Sequence, residues 1–129
     1  RSTLFPYTTL FRSPAGGPYS QGRIAAGLLF TSGQIPIDPD TGKVDGTTVE
    51  EQTKQVFANI KAIVEAAGSS MEKVIKTVCF IKDMNDFAKV NHIYGEFFTE
   101  GDYPARSVIE VSRLPKDVLV KIEAVAEVG

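Results

Sequence analysis

A single long helix, whose start, buried face and end can all be read from the residues, constrains this fold most. Thr47 with Glu50, or Thr48 with Glu51, supplies a T-x-x-E pattern. In that pattern a threonine hydroxyl and a glutamate carboxylate satisfy backbone N–H groups that a helix start leaves unpaired. Val49, Val56, Ile60, Ile63, Val64 and Ala67 follow at spacings that gather them on one face, and Gly68 stands where a left-handed residue ends a helix. About five turns with one apolar stripe need a partner surface.

The rest of the chain supplies a sheet. Residues 23–27 and 28–35 are β-prone runs joined around Gly27, and residues 37–46, IDPDTGKVDG, are turn chemistry throughout. Residues 73–82 read as a strand with Val74, Val78 and Phe80 on one face and Ile75, Thr77, Cys79 and Ile81 on the other. Asp83 or Asn85 caps a second helix, with Phe87, Val90, Tyr94, Phe97 and Phe98 as its stripe and Gly101 as its end. Residues 105–112 and 118–128 are the last two strands. The order ββαβαββ lacks strict strand-helix alternation, which predicts an α+β fold with both helices on one face of a mixed sheet.

Pro115 in the turn 114–117 suggests that the last two strands form a hairpin. Closing the turn there sets Ile109 opposite Ile122, Val111 opposite Val120 and Ser107 opposite Ala124, an apolar face. The other face then carries Arg106, Glu110, Lys121 and Glu123, with Glu110 beside Lys121 as an opposite-charge pair. Such a face is either a set of solvated ion pairs or a site in which the Arg106 fork holds a carboxylate while Glu123 orients water or moves a proton. Tyr19, Ser32 and Gly33 of the early strands are candidate polar contacts. Asn91 falls on the apolar stripe of the second helix, where a buried amide needs partners and serves as a structural clip or a site residue.

Composition removes other chemistries. With one Cys and one His among 129 residues, the chain cannot form an internal disulfide or a structural zinc ligand set of its own. Cys79 reads as a small core residue and His92 as an exposed one. No metal and no cofactor is expected. The 14 basic residues are scattered singly against 16 acids, for a net charge of -2, which argues against nucleic acid as a partner. No apolar run approaches the 18 or more residues of a membrane span, so a cytoplasmic protein is expected.

Residues 1–13, RSTLFPYTTLFRS, stand apart: Thr3-Leu4-Phe5 recurs as Thr9-Leu10-Phe11, and Pro6 breaks the only apolar stretch. The segment lacks the apolar centre of a signal peptide. It has some features of a transit peptide, but residues 3–13 resemble the conceptual translation of a sequencing-library adapter. The expected division is therefore a non-native leader, 1–13, and one domain, 14–129. Without Arg1 and Arg12 the basic count falls from 14 to 12 and the net charge from -2 to -4.

From Gly17 onward the chain resembles the RidA/YjgF family of reactive-intermediate deaminases. The likeness rests on GPYSQG at 17–22, TSGQIP at 31–36, FAKVNHIYGEFF at 87–98, PARSVIEVSRLPKD at 104–117 and KIEAVA at 121–126. The resemblance implies chorismate-mutase-like α+β subunits assembled as a homotrimer, with sheets facing inward and ligand clefts between subunits. It implies hydrolysis of 2-aminoacrylate and 2-iminobutanoate, products of PLP-dependent dehydratases, to 2-keto acids and ammonia. Carried over by position, Arg106 binds the substrate carboxylate and Glu123 positions the attacking water. The backbone at Gly33 and Val108 contacts the acid, and Tyr19, Ser32 and Asn91 line or order the cleft. Many bacterial members have Cys where this chain has Val108, which excludes a catalytic thiol there. The alternatives are a non-catalytic binder of small carboxylic acids and, less favoured by the acidic charge, an endoribonuclease. The family's first strand belongs where the leader stands, and residues 8–12 are a candidate surrogate for it.

Overall fold

The computed structural model describes residues 17 and 19–129, together with the backbone of residues 3–4. Eight elements form two layers. The strands are β1 (Thr3–Leu4), β2 (Gly22–Ala25), β3 (Leu28–Thr31), β4 (Val74–Ile81), β5 (Ala105–Glu110) and β6 (Val120–Glu127). The helices are α1 (Val49–Ala66) and α2 (Phe87–Phe97), and the strand order is β1-β2-β3-β6-β4-β5 in one mixed sheet. This is the expected α+β class. β1 pairs antiparallel with β2 through Thr3 with Ile24 and Leu4 with Arg23. Residues 8–12, the candidate surrogate strand, lie outside the described residues, as does the domain boundary expected at 13–14.

The first helix follows its sequence signals closely. Thr48, the second of the two candidate caps, accepts the Glu51 N–H at 3.2 Å, and Glu51 returns bonds to the Thr48 and Thr47 N–H groups at 3.1 and 3.0 Å. At the other end Gly68 takes φ +79°, so its N–H reaches the Glu65 carbonyl and that of Ser69 reaches Val64, closing the last turn. Val56, Phe57, Ile60 and Val64 are fully buried against Leu29, Cys79, Ile81 and Ile122 of the sheet. Polar residues on the same helix tie down the long loop beside it. Asn59 donates to the Ile37 carbonyl at 2.9 Å, and Gln52 holds the Gly46 carbonyl at 3.1 Å and the Leu119 N–H at 2.8 Å.

Three expectations need correction. The first is the terminal hairpin, because β5 and β6 are not neighbours: β4 lies between them. β4 pairs parallel with β5, Thr77 with Arg106 and Cys79 with Val108, and antiparallel with β6, Cys79 with Ile122 and Val78 with Glu123. The physical cause is α2, which crosses over one sheet face from the end of β4 and so returns the chain parallel to it. The segment after β5 then passes the end of β4, where Val111 N–H bonds to Ile81 and Lys82 N–H to Leu119. Within it Lys116 and Asp117 both take left-handed φ, 56° and 55°, and no two-strand turn is made.

The second correction is in β4. A bulge between Val74 and Lys76 shifts the alternation, so Val74 joins Thr77, Cys79 and Ile81 on the buried face and Ile75 is 42% exposed. The third concerns α2. Asp83 caps a short 3-10 turn, Met84–Asp86, through the Asn85 N–H rather than the helix itself, and the helix stops at Phe97, well before Gly101. Its buried residues are Val90, Ile93 and Tyr94, whereas Phe87 is half-exposed and Phe98 packs from just beyond the helix end.

The Glu51 carboxylate is held below the ordinary glutamate value mainly by the Thr47 and Thr48 N–H groups. A lowered folded-state value means a stabilising contribution that is complete above the unfolded-state value and lost as the pH falls through the folded-state one. Urea denaturation is therefore expected to find Glu51→Ala less stable than the parent at pH 7, with the difference shrinking below about pH 4.3. Thr48→Ala is expected to cost about 1 kcal/mol at pH 7.

Candidate active site

Arg106 sits on the edge strand β5, and its pairing with Thr77 turns it toward the helix-covered face. Three α2 residues meet it there. Phe87, Asn91 and Tyr94 occupy positions i, i+4 and i+7, one stripe of that helix. Asn91 Oδ1 accepts a hydrogen bond from Arg106 Nη1 at 2.7 Å, and the guanidinium carbon lies 4.7 Å from the Tyr94 ring centroid and 5.4 Å from that of Phe87. Cation–π attraction to two ring faces and one charge-assisted hydrogen bond therefore fix the plane of the fork. Among the described residues Arg106 has no carboxylate within ion-pair distance. Its remaining N–H groups border a cavity of about 440 Å³ that Asn91, Tyr94, Gly95, Tyr103 and Pro104 also line.

The support beneath this cation is dry. Tyr94 Oη and Thr77 Oγ1 share a buried hydrogen bond of 2.7 Å, while the Tyr94 ring packs edge-on to Phe57 at 5.5 Å and against Phe98 at 4.7 Å. Burial raises the Tyr94 phenol, partly offset by the Thr77 hydrogen bond. Cys79, two residues beyond Thr77 on the same strand face, is wholly buried, and that burial pushes its thiol up to about 11 against the lowering influence of Arg106 and Thr77. It is a core residue, as the sequence suggested. His92 lies on the exposed side of α2, 3.7 Å from Glu96.

A second cavity, about 520 Å³, opens around the end of β3, where Tyr19, Ser32, Gly33, Lys116 and Lys121 line it. A β-bulge shapes it. Phe30 pairs with Val125 and Gln34 bridges Ile122, so residues 31–33 stand opposite only Ala124 and Glu123. Thr31 Oγ1 takes the Ala124 N–H at 3.0 Å, Ser32 Oγ donates to the Ser20 carbonyl, and the Gln34 side chain is buried against that of Gln21 at 2.8 Å. Gly33 is left outside the ladder, at the cavity wall.

The sequence-derived candidates thus fall into separate places within one chain. Arg106 and Asn91 are brought together, and the guanidinium is the partner of the Asn91 amide oxygen. Tyr19, Ser32 and Gly33 share the second cavity. Val108 is half-buried against the core and lines neither cavity. Glu123 pairs with Val78 on the sheet face without helices. The expectation that Arg106 and Glu123 share a face is therefore corrected: they lie on opposite faces. Phe87, Tyr94, Lys116 and Lys121 were not anticipated as site residues. For the two rings the signal was present, since they repeat at helical spacing with Asn91. Among the described residues no three His, Cys, Asp or Glu side chains gather to hold a metal ion, and no helix is long and apolar enough to cross a membrane.

Fold and site together define a small α+β domain in which an arginine clamped by one helix borders a cavity at the sheet edge. Comparison with known proteins gives the family. Residues 11–128 match the family described as endoribonuclease L-PSP, the RidA/YjgF family. A RutC family protein of Pyrococcus horikoshii is 58% identical over 110 residues, covering 85% of this chain and 86% of that protein. The 2-iminobutanoate/2-iminopropanoate deaminase of Escherichia coli is 53% identical over 112 residues, covering 85% and 87%. The crystal structure of Escherichia coli TdcF with bound serine superposes with a TM-score of 0.85 at 48% identity, over 92% of this chain and 94% of that one. The chain belongs to the RidA/YjgF family.

The buried, elevated Cys79 thiol is expected to be inert in the folded protein. Titration with a chromogenic disulfide at pH 8 should find no reactive thiol in the native state and one per chain in guanidinium chloride. Rapid native-state labelling would contradict the burial described.

Proposed function

We propose that this protein is an imine deaminase that hydrolyses 2-iminobutanoate, 2-iminopropanoate and their enamine forms to 2-keto acids and ammonia. The observation that carries the proposal is the Arg106 guanidinium, clamped by Asn91, Tyr94 and Phe87 and facing a cavity with no acid of its own. A rigid cation fork with no ion-pair partner among the described residues suits a substrate carboxylate. The Escherichia coli relative named for this activity is 53% identical.

Orientation and one proton relay suffice for the reaction. A protonated imine carbon is already electrophilic, and the enamine form becomes an imine by proton transfer to carbon. With the carboxylate on Arg106, water adds to the imine carbon and gives up a proton, for which Glu123 is the candidate acceptor. The acceptor returns that proton to the nitrogen, and the carbinolamine expels ammonia as its hydroxyl proton passes to the same carboxylate and the C=O bond forms. Each turnover takes up one water and releases one ammonia, and no step calls for a cofactor.

Glu123 lies on the other sheet face, so it reaches an Arg106-bound substrate only from a second copy. We propose a homotrimer in which the Arg106 cavity of one copy meets Glu123 and the second cavity of the next. The uncovered sheet face supports this assembly. Phe30, Ile75 and Ile109 are each over 40% exposed there, beside half-buried Val78, Phe80 and Val125. Such an apolar face is suited to burial between subunits.

A specific observation favours one other reading: Arg106 and its cavity are complete in one chain without Glu123. Binding and sensing a small carboxylic acid needs no more, and a Lactococcus lactis protein 50% identical over 120 residues is described as a regulator.

A dehydratase-coupled assay separates the two. Ammonia release from 2-aminoacrylate should exceed the spontaneous rate, with Arg106→Ala or Glu123→Gln lowering kcat/KM roughly 10²- to 10⁴-fold. A pure binder gives no acceleration yet binds 2-oxobutanoate in Glu123→Gln and not in Arg106→Ala. Equal mixtures of the two inactive variants, unfolded and reassembled together, should recover about a quarter of the wild-type rate if each site draws Arg106 and Glu123 from different copies. No recovery, or a monomer by light scattering, would count against intersubunit sites.

A further inference from the structure

The second cavity has a charge pattern that hydrolysis of simple imines does not explain. Among the described residues two lysines line it, and no acidic residue does. Lys121 pairs with Phe80 on the uncovered sheet face, and its side chain then crosses directly over Gly33. A Cβ on residue 33 would lie 2.2 Å from Lys121 Cε and 3.2 Å from Cδ and Cγ. The lack of a side chain at 33 is therefore what lets the lysine stem lie across the bulge beside the cavity. Its ammonium is 6.0 Å from the Phe80 ring centroid, and among the described residues no carboxylate comes within ion-pair distance of it. Lys116 reaches the same wall from a backbone at φ 56°, a conformation that costs a non-glycine residue energy. Tyr19 and Ser32 line the same cavity.

An uncompensated pair of ammonium groups lining a cavity matches an anion. We propose that Lys121, with Lys116, makes this protein selective for imino acids that carry a second carboxylate on the side chain, such as 2-iminosuccinate. The inference rests on the deaminase reading. Arg106 takes the carboxylate next to the imine carbon, and the lysines of the facing copy take the distal one. The chemistry is unchanged: one water enters, one ammonia leaves, and the product is a 2-oxo dicarboxylate. The class of reaction that supplies such a substrate is two-electron oxidation of an acidic amino acid at its amine.

The test compares 2-iminosuccinate with 2-iminobutanoate, each generated in place by an amino-acid oxidase with catalase present, for the wild type, Lys121→Met and Lys121→Arg. Loss of the imine is followed by competition with semicarbazide. Wild type should favour the dianionic imine in kcat/KM. Lys121→Met should lower that preference about ten-fold, the effect of one ion pair worth about 1.4 kcal/mol. Lys121→Arg should retain the preference. Equal kcat/KM ratios in wild type and Lys121→Met would overturn the proposal while leaving the deaminase reading intact. If no imine is hydrolysed faster than in buffer, the deaminase reading fails by itself. Calorimetry then decides on the cavity, which must bind 2-oxosuccinate more tightly than 2-oxobutanoate, and lose that difference in Lys121→Met, for the second-carboxylate site to stand.

Discussion

β4 and β5 run parallel, so the chain between them has to cross a sheet face, and α2 is that crossover. Much of the candidate chemistry depends on this connection. It lays the Phe87, Asn91 and Tyr94 stripe over the edge strand, and it fixes the parity of β5 so that Arg106 rises under that stripe. Had β5 folded back on β6, the same guanidinium would have faced the side without helices, with water and other charges as neighbours. Beneath α2 it is half-buried between two rings. Desolvation makes such a cation costly to leave without an anion, and so makes an incoming carboxylate a better partner than it would be at the surface.

The sequence disclosed local features well and pairings poorly. Thr48, Glu51 and Gly68 act within a few residues of themselves, so the limits of α1 were legible from spacing alone. The inward row of β6, Val120, Ile122, Ala124 and Ala126, was legible for a similar reason, since alternation is a property of one strand. Which strand lies beside β6 is not. A row of apolar residues on β6 accepts Ile109 and Val111 as readily as Cys79 and Ile81, and the turn residues around Pro115 permit reversal without requiring it. β5 was read with its faces exchanged because its outward residue Ile109 is apolar and its inward residue Arg106 is charged. That inversion of the usual pattern is itself a sign of function at both faces: a cation under the helices and an apolar surface on the side left uncovered.

Family resemblance filled part of that gap. It named Arg106 and Asn91, which the structure joins by a hydrogen bond, and Tyr19, Ser32 and Gly33, which line one cavity. It did not name the rings under Arg106 or the lysine over Gly33. These are visible only when side chains from separate elements are placed together. Val108 and Glu123 stand in neither cavity, and the parity of the sheet is what keeps Glu123 away from Arg106.

The two cavities differ in what prepares them for a ligand. Around Arg106 the order comes from packing: a buried Tyr94–Thr77 bond and aromatic contacts to Phe57 and Phe98. Around Gly33 it comes from backbone geometry, a bulge that takes residues 31–33 out of register and a loop with two successive left-handed residues. Packing around a cation favours one geometry, which under the proposed deaminase reading suits the carboxylate that every imino acid shares. A bulge bordered by lysine stems is adaptable, because the ammonium groups move on flexible chains while the backbone wall stays fixed. If copies bring these halves together, the shared carboxylate meets the rigid half and the variable side chain meets the adaptable one. Substitutions in β6 and the 112–119 loop would then alter the adaptable half without disturbing the Arg106 fork.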